Sequence, residues 1–170
     1  MVRSEEACNG EARFKKCRKG LASSGLRGGK GMDLQIHHIG IVVEDIDRAK
    51  AVYEKVFGLN LKGRYVVEEF RAECAFILAG NTYLELVKPL AEDGLKKFLD
   101  KHGSGTLHHI CYIVDDIEAG WKYLKEKGLR SVTGEPQSSC TFEKAMFFHP
   151  KDTGNVLIEF VTRAVCPLPR

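Results

Sequence analysis

Two imidazoles and two carboxylates recur in this chain at matched positions, and together they make a set able to hold a divalent cation. The stretch Ile36-His37-His38-Ile39-Gly40-Ile41-Val42-Val43-Glu44-Asp45-Ile46 returns as Leu107-His108-His109-Ile110-Cys111-Tyr112-Ile113-Val114-Asp115-Asp116-Ile117, both obeying HHI-xxx-V-x-DI. A second pattern is also written twice. Gly80-Asn81-Thr82-Tyr83-Leu84-Glu85-Leu86 and Gly154-Asn155-Val156-Leu157-Ile158-Glu159-Phe160 share G-N-x-x-x-E before an apolar residue. Each half of the chain therefore opens on a histidine strand and closes on a glutamate strand.

A single histidine beside an apolar run is usually a core residue, and a single strand glutamate usually faces water. The doubled placement argues otherwise, because a solvated glutamate has no reason to return at the equivalent point of both halves. Strand alternation carries the reading further. Ile39, Ile41 and Val43 share one face of the first strand, which leaves His38 on the other. Glu85 opposes Leu84 and Leu86, His109 opposes Ile110, Tyr112 and Val114, and Glu159 opposes Ile158 and Phe160. Four potential ligands, His38, Glu85, His109 and Glu159, thus take one side of a sheet. Buried carboxylates without a cation are costly, which favours a metal among them. His37 and His108 have the opposite parity, belong with the apolar set, and read as structural or supporting residues. An N₂O₂ set of this kind suits Co²⁺, Mn²⁺, Ni²⁺, Fe²⁺ or Zn²⁺.

The elements that must position these groups are legible in the same way. After the strand Leu34 to Val43, Asp45 caps a helix with Ile46, Ala49, Val52, Tyr53 and Val56 at helical spacing and Gly58 as its stop. Strands follow around Leu61 to Val67, Ala72 to Leu78 and Tyr83 to Val87, with a turn at Gly80-Asn81. Ala91 to His102 reads as a linking helix. The order then repeats with a strand at 107–114, a helix at 116–127 carrying Ile117, Trp121 and Leu124 inward, and strands near 130–133, 145–149 and 156–162. The fold class is α+β: two tandem βαβββ modules, 34–90 and 106–163, joined by a linking segment 91–105. They form one curved eight-stranded mixed sheet, helices on its convex side and a metal-binding cleft on the concave one.

Length and composition set the frame. The chain of 170 residues carries a formal net charge of +3. Residues 1–31 hold eight Lys and Arg against three Glu, a net +5, so residues 32–170 stand at −2. A mildly acidic body leaves no footprint for nucleic acid, and no apolar run is long enough to span a membrane. The basic extension 1–31 reads as disordered, with Met32 a candidate start; a mitochondrial presequence is the alternative, weakened by the three Glu. Six cysteines without a regular spacing fit a reducing cytoplasm. The domain is expected over 32–165 and a loose tail over 164–170.

The segments HHIGIVVEDIDRAKAVYEKVFGL, GNTYLELVKPL, KFLDKHGSGTLHHICYIVDDI and FFHPKDTGNVLIEF resemble the vicinal oxygen chelate superfamily. That superfamily includes glyoxalase I, extradiol dioxygenases and the bleomycin resistance proteins. The resemblance covers residues 34–162 and is strongest for its methylmalonyl-CoA epimerase branch. It implies one divalent cation, Co²⁺ first, on His38, Glu85, His109 and Glu159, an acyl-CoA substrate and a homodimer. Some epimerases carry Gln at the position of Glu85. The implied reaction is proton removal and return at the carbon alpha to the thioester, through a metal-stabilised enolate. It requires an acid and a base on opposite faces of that carbon. By the resemblance Glu159 and Glu69 are the catalytic pair. The family has E-H-G or E-Q-G where this chain has Glu69-Phe70-Arg71, so Glu68 stands beside Glu69 as the alternative. A glyoxalase I-like isomerase (lactoylglutathione lyase) would use the same four ligands, and a non-catalytic small-molecule-binding protein would use the same fold.

Overall fold

The computed structural model describes residues 32 and 34–165. The chain runs β1 (Gln35–Val42), α1 (Ile46–Phe57), β2 (Leu61–Val67), β3 (Ala72–Ala79), β4 (Thr82–Pro89), α2 (Gly94–His102), β5 (Thr106–Ile113), α3 (Ile117–Glu126), β6 (Ala145–Phe148) and β7 (Leu157–Val161). Short 3-10 turns fall at Glu68–Phe70 and Pro150–Asp152. The expectations for the extension 1–31 and the last residues of the tail lie outside the described residues.

The repeated Asp-Ile of the sequence is a helix start in both places. Asp45 Oδ1 accepts from the backbone N–H of Arg48 at 2.8 Å, and Asp116 Oδ1 from that of Ala119 at 2.9 Å. The isoleucine that follows is the first residue each helix buries, Ile46 and Ile117. α1 ends at Gly58, whose left-handed φ of 67° lets its N–H reach Glu54 O at 3.2 Å. α2 starts at Gly94, three residues later than its apolar spacing indicates, because Asp93 supplies the cap.

Seven strands form one mixed sheet in the order β2-β3-β4-β1-β5-β7-β6. β1 and β5 pair antiparallel at the centre, β4 runs parallel to β1, and β7 parallel to β5. The two histidine strands therefore lie side by side, each flanked by its glutamate strand. The expected eighth strand at 130–133 does not form. Ser131 makes a single bridge to Phe148, and the ladder stops there because Gly134 turns left-handed (φ 80°) and Pro136 has no N–H to donate. Residues 137–142 instead cross the face away from α1 and α3, held there by the isolated bridges Gln137–Ala145 and Phe142–Ala164 among other contacts.

Alternation sorts the rest of the core. Ile41, Val43, Ala75, Ile77, Leu84 and Leu86 pack under α1, against Ile46, Ala49 and Tyr53. Val114, Met146, Phe148 and Phe160 pack under α3, against Ile117, Trp121 and Leu124. Each such side chain, fully buried, contributes on the order of 1.5–3 kcal/mol. The opposite face carries Val67, Cys74, Phe76, Tyr83 and Val87 in one cluster and Cys111, Phe142, Ala145 and Val161 in another, with Phe70 touching both. Among the described residues no helix is long and apolar enough to cross a membrane.

Candidate metal centre

The centre is built where β1 meets β5. In their register His38 stands opposite Cys111 and Gly40 opposite His109. The count slips twice, between Ile36 and His38 and again where Gly40–His109 is followed by Ile41–Leu107. Each slip is a β-bulge at which the register passes over His37 or His108. A bulge re-aims side chains, and here it overturns the expected parity of these two histidines. His37 does not join the helix-side apolar set; its ring meets Tyr83 and Phe142 on the other face. His37 Nδ1 lies 2.9 Å from His38 Nδ1, and His108 Nδ1 lies 2.9 Å from His109 Nδ1.

His38, Glu85, His109 and Glu159 come together on that face, 1–6% exposed. Their inner atoms converge. His38 Nε2 and His109 Nε2 are 2.9 Å apart; Glu85 Oε2 lies 3.3 and 3.2 Å from them, and Glu159 Oε2 lies 3.1 and 3.4 Å. Ligands bound at about 2.1 Å to one cation stand roughly 3.0 Å apart at right angles and roughly 3.4 Å apart at tetrahedral angles. His38, His109 and Glu159 fit a divalent cation, all three offering ligand atoms within 4.8 Å of one another, and Glu85 adjoins both histidines.

The electrostatics say the same. Burial would push the Glu85 carboxyl up, yet His38 and His109 hold it well below the ordinary carboxylate range. Burial would push His38 down, but Cys111, Glu85 and Glu159 hold it well above its ordinary value. A carboxyl held low beside an imidazole held high marks a centre that favours positive charge, which a metal ion can supply. Around it, burial pushes the Cys74 thiol up, aided by Glu85, and the Cys111 thiol up, aided by Glu159. Burial, with His109 beside it, takes His108 down to about 3.

Three features were not read from the sequence. Gly40 leaves room for the His109 ring; its signal is the one-residue difference between His37-His38-Ile39-Gly40 and His108-His109-Ile110-Cys111. Cys111, fully buried, places its sulfur near the ring nitrogens of His37 and His38. Phe142 lies stacked on His38 at 5.9 Å and 16°, and no local pattern announces that contact.

Residues 37–147 match the model of the Glyoxalase/Bleomycin resistance protein/Dioxygenase superfamily. The chain belongs to that superfamily. Within it the chain is 36% identical to human mitochondrial methylmalonyl-CoA epimerase, over 74% of this chain and 72% of that one. It is 35% identical to the ethylmalonyl-CoA/methylmalonyl-CoA epimerase of Cereibacter sphaeroides, over 74% of this chain and 95% of that one. A solved methylmalonyl-CoA epimerase in complex with methylmalonyl-CoA and NH₄⁺ superposes with a TM-score of 0.71 at 33% identity, covering 80% of this chain and 99% of that one. These relatives are isomerases of the epimerase kind.

The remaining expected site residue, Glu69, is not one of the converging groups. Glu69 and Glu68 both lie on the 3-10 turn between β2 and β3, and both are exposed. Phe70, next to them, packs edge-on against Phe147 at 5.4 Å, and Phe147 in turn touches the His109 ring.

Proposed function

We propose that the protein is a divalent-metal-dependent epimerase that interconverts the two epimers of methylmalonyl-CoA. The observation that carries this reading is the convergence of His38, Glu85, His109 and Glu159 within 2.9–3.4 Å contacts, in a chain similar to epimerases that act on this thioester.

The cation held by those four residues would supply Lewis acidity to the thioester and carboxylate oxygens of the substrate. The chain's own groups do the rest. Burial of the cluster keeps water from the reacting carbon and strengthens every charge interaction there. Glu159, at the ligand cluster, exchanges the α proton on one face of that carbon. Glu69 serves the other face. Its assignment over Glu68 rests on backbone conformation: Arg71, the third residue of Glu69-Phe70-Arg71, is left-handed at φ 47°. That is the conformation a glycine takes without cost, as in the family's E-H-G segment. Glu159 and Glu69 then alternate as acid and base in the two directions.

The domain spans 32–165 as two βαβββ units acting together, the second lacking one strand, and works as a homodimer. A water-soluble acyl-CoA substrate places it in the cytoplasm, or in the mitochondrial matrix where residues 1–31 act as a presequence. Co²⁺ is the cation of choice, with Mn²⁺, Ni²⁺, Zn²⁺ and Fe²⁺ compatible with the donor set.

Deuterium incorporation into methylmalonyl-CoA in D₂O tests this directly, with Co²⁺-loaded protein beside an EDTA-stripped control. Metal-dependent exchange at the α carbon with interconversion of epimers is expected. A loaded, folded protein that exchanges nothing rules this substrate out.

A further inference from the structure

Neighbouring residues on a strand ordinarily point to opposite faces, so two adjacent histidines cannot share one site. Here both pairs do. The bulges at His37 on β1 and at His108 on β5 bring each extra ring back to the ring that follows it. The outcome is the same in the two strands: Nδ1 to Nδ1 at 2.9 Å, rings nearly perpendicular at 84° and 85°, centroids 5.2 Å apart. A bulge gives up a regular ladder position. Its appearance in both histidine strands, with matched ring geometry, marks it as a device and not a packing accident.

The contact constrains the protons. Two nitrogens 2.9 Å apart need one hydrogen between them, and only one of them can carry it. His38 and His109 turn their Nε2 atoms toward Glu85 and Glu159. To bind a cation through Nε2 a neutral imidazole must keep its proton on Nδ1. The Nδ1–H of each ligand then donates to the Nδ1 lone pair of the bulged neighbour, whose own proton sits on its Nε2.

We propose that His37 and His108 are positioning residues: each accepts the Nδ1 proton of the next histidine, and so locks His38 and His109 in the tautomer and ring orientation that present Nε2 to the metal. This rests on the metal reading of the cluster. Metal-bound imidazoles commonly donate their second nitrogen to a carboxylate, carbonyl or water; here the acceptor is a second imidazole placed by a bulge.

The alternative is that these rings only fill space, His37 against Tyr83 and Phe142, His108 against Phe98. Substitutions separate the two. His37→Phe and His108→Phe keep a ring and remove the acceptor, whereas His37→Asn and His108→Asn shorten the side chain and keep an acceptor oxygen near the place of Nδ1. Calorimetric titration with Co²⁺ alone is the first readout. The Phe variants should bind roughly 10- to 100-fold more weakly than the parent, and the Asn variants should stay near it. The second readout is the ¹⁵N spectrum of the Zn²⁺-loaded protein, in which the Nδ1–H signals of His38 and His109 should persist in the parent and Asn variants and exchange away with solvent in the Phe variants. Parent-like Co²⁺ binding and ¹⁵N spectra in the Phe variants overturn the proposal, as do Asn variants as weak as the Phe ones. A parent chain that binds no divalent cation removes the metal reading itself, and this inference with it.

Discussion

A Cβ built on Gly40 would lie 2.1 Å from Cε1 of the His109 ring, and 2.3 and 2.6 Å from its two nitrogens. The two residues face each other across the central antiparallel pair, so the His109 ring rests directly on the bare backbone of the other histidine strand. The matched position on β5 is Cys111, which faces His38 and carries a side chain. The two halves thus differ at the candidate centre: the His109 imidazole is seated on a glycine, that of His38 against a thiol.

Gly40→Ala should therefore damage metal binding more than folding. The methyl group cannot fit without moving His109, an overpacking that costs about 1–3 kcal/mol of stability. Co²⁺ affinity should fall about as far as it does when a ligand is lost, while Cys111→Ala, which only trims the facing position, should keep most of it. Calorimetric titration of both variants checks this. A Gly40→Ala protein with parent-like affinity would show that the ring has another place to go.

Removal of a ligand and removal of a base should separate cleanly. His109→Ala takes away one of four converging groups and should abolish both Co²⁺ binding and turnover. Glu69→Gln leaves the cluster untouched and should bind Co²⁺ as the parent does, with kcat reduced by roughly 10²- to 10⁴-fold. Full activity in Glu69→Gln would transfer the role to Glu68, its exposed neighbour on the same turn.

The buried imidazole of His108 should leave a mark on the pH dependence of the metal-free protein. Its folded value is about 3, against an ordinary 6.5, because burial and the adjacent His109 disfavour the charged form. Between those values the unfolded chain binds a proton that the folded chain does not. The stabilisation is complete above pH 6.5 and is lost as pH falls toward 3, by about 1.4 kcal/mol per unit. Urea unfolding between pH 5 and 7 should show a shallower slope for His108→Phe than for the parent (a window chosen at about these values to stay above the ordinary range of Glu85). Equal slopes would mean that His108 is protonated in the fold.

Much of the scaffold is local chemistry and was legible as such. The Asp-Ile starts of α1 and α3, the glycine stop of α1 and the helix-facing rows of Ile41 with Val43 and Leu84 with Leu86 all follow from caps and alternation. The same alternation assigned one side of the sheet to His38, Glu85, His109 and Glu159. It failed for His37 and His108 because it assumes a one-to-one ladder, and a bulge depends on the partner strand. It failed for 130–133 because Gly134 and Pro136 end the pairing that Ser131 and Val132 begin. Contacts between distant residues were equally silent. Asp152, in the His149-Pro150-Lys151-Asp152 turn, holds the Arg130 guanidinium at 2.9 and 2.7 Å and its backbone N–H at 3.0 Å.

Phe142 packs directly on the centre, against the His38 ring. It is 3% exposed, lies stacked on His38, and is carried by a turn in which Ser139 Oγ accepts from the backbone N–H of Thr141 and Phe142 at 3.3 and 3.1 Å. The segment reaches across to the first half of the sheet, where Cys140 Sγ donates to Val66 O at 3.4 Å. The four converging groups are no more than 6% exposed, and a substrate that reaches them is expected to displace the segment carrying Phe142. Backbone bonds tie the segment at its ends, between Gln137 and Ala145 in both directions and from Val165 N–H to Thr141 O. Phe142→Ala should then speed the stripping of Co²⁺ by EDTA by about tenfold, the factor that about 1.4 kcal/mol of lost cover gives. It should also lower stability by roughly 3–5 kcal/mol. Phe148→Ala is the control: Phe148 is fully buried on the helix side against Trp121, so its loss should destabilise comparably without hastening metal release. Equal stripping rates in the two variants would show that metal escapes by global unfolding and that Phe142 is core rather than cover.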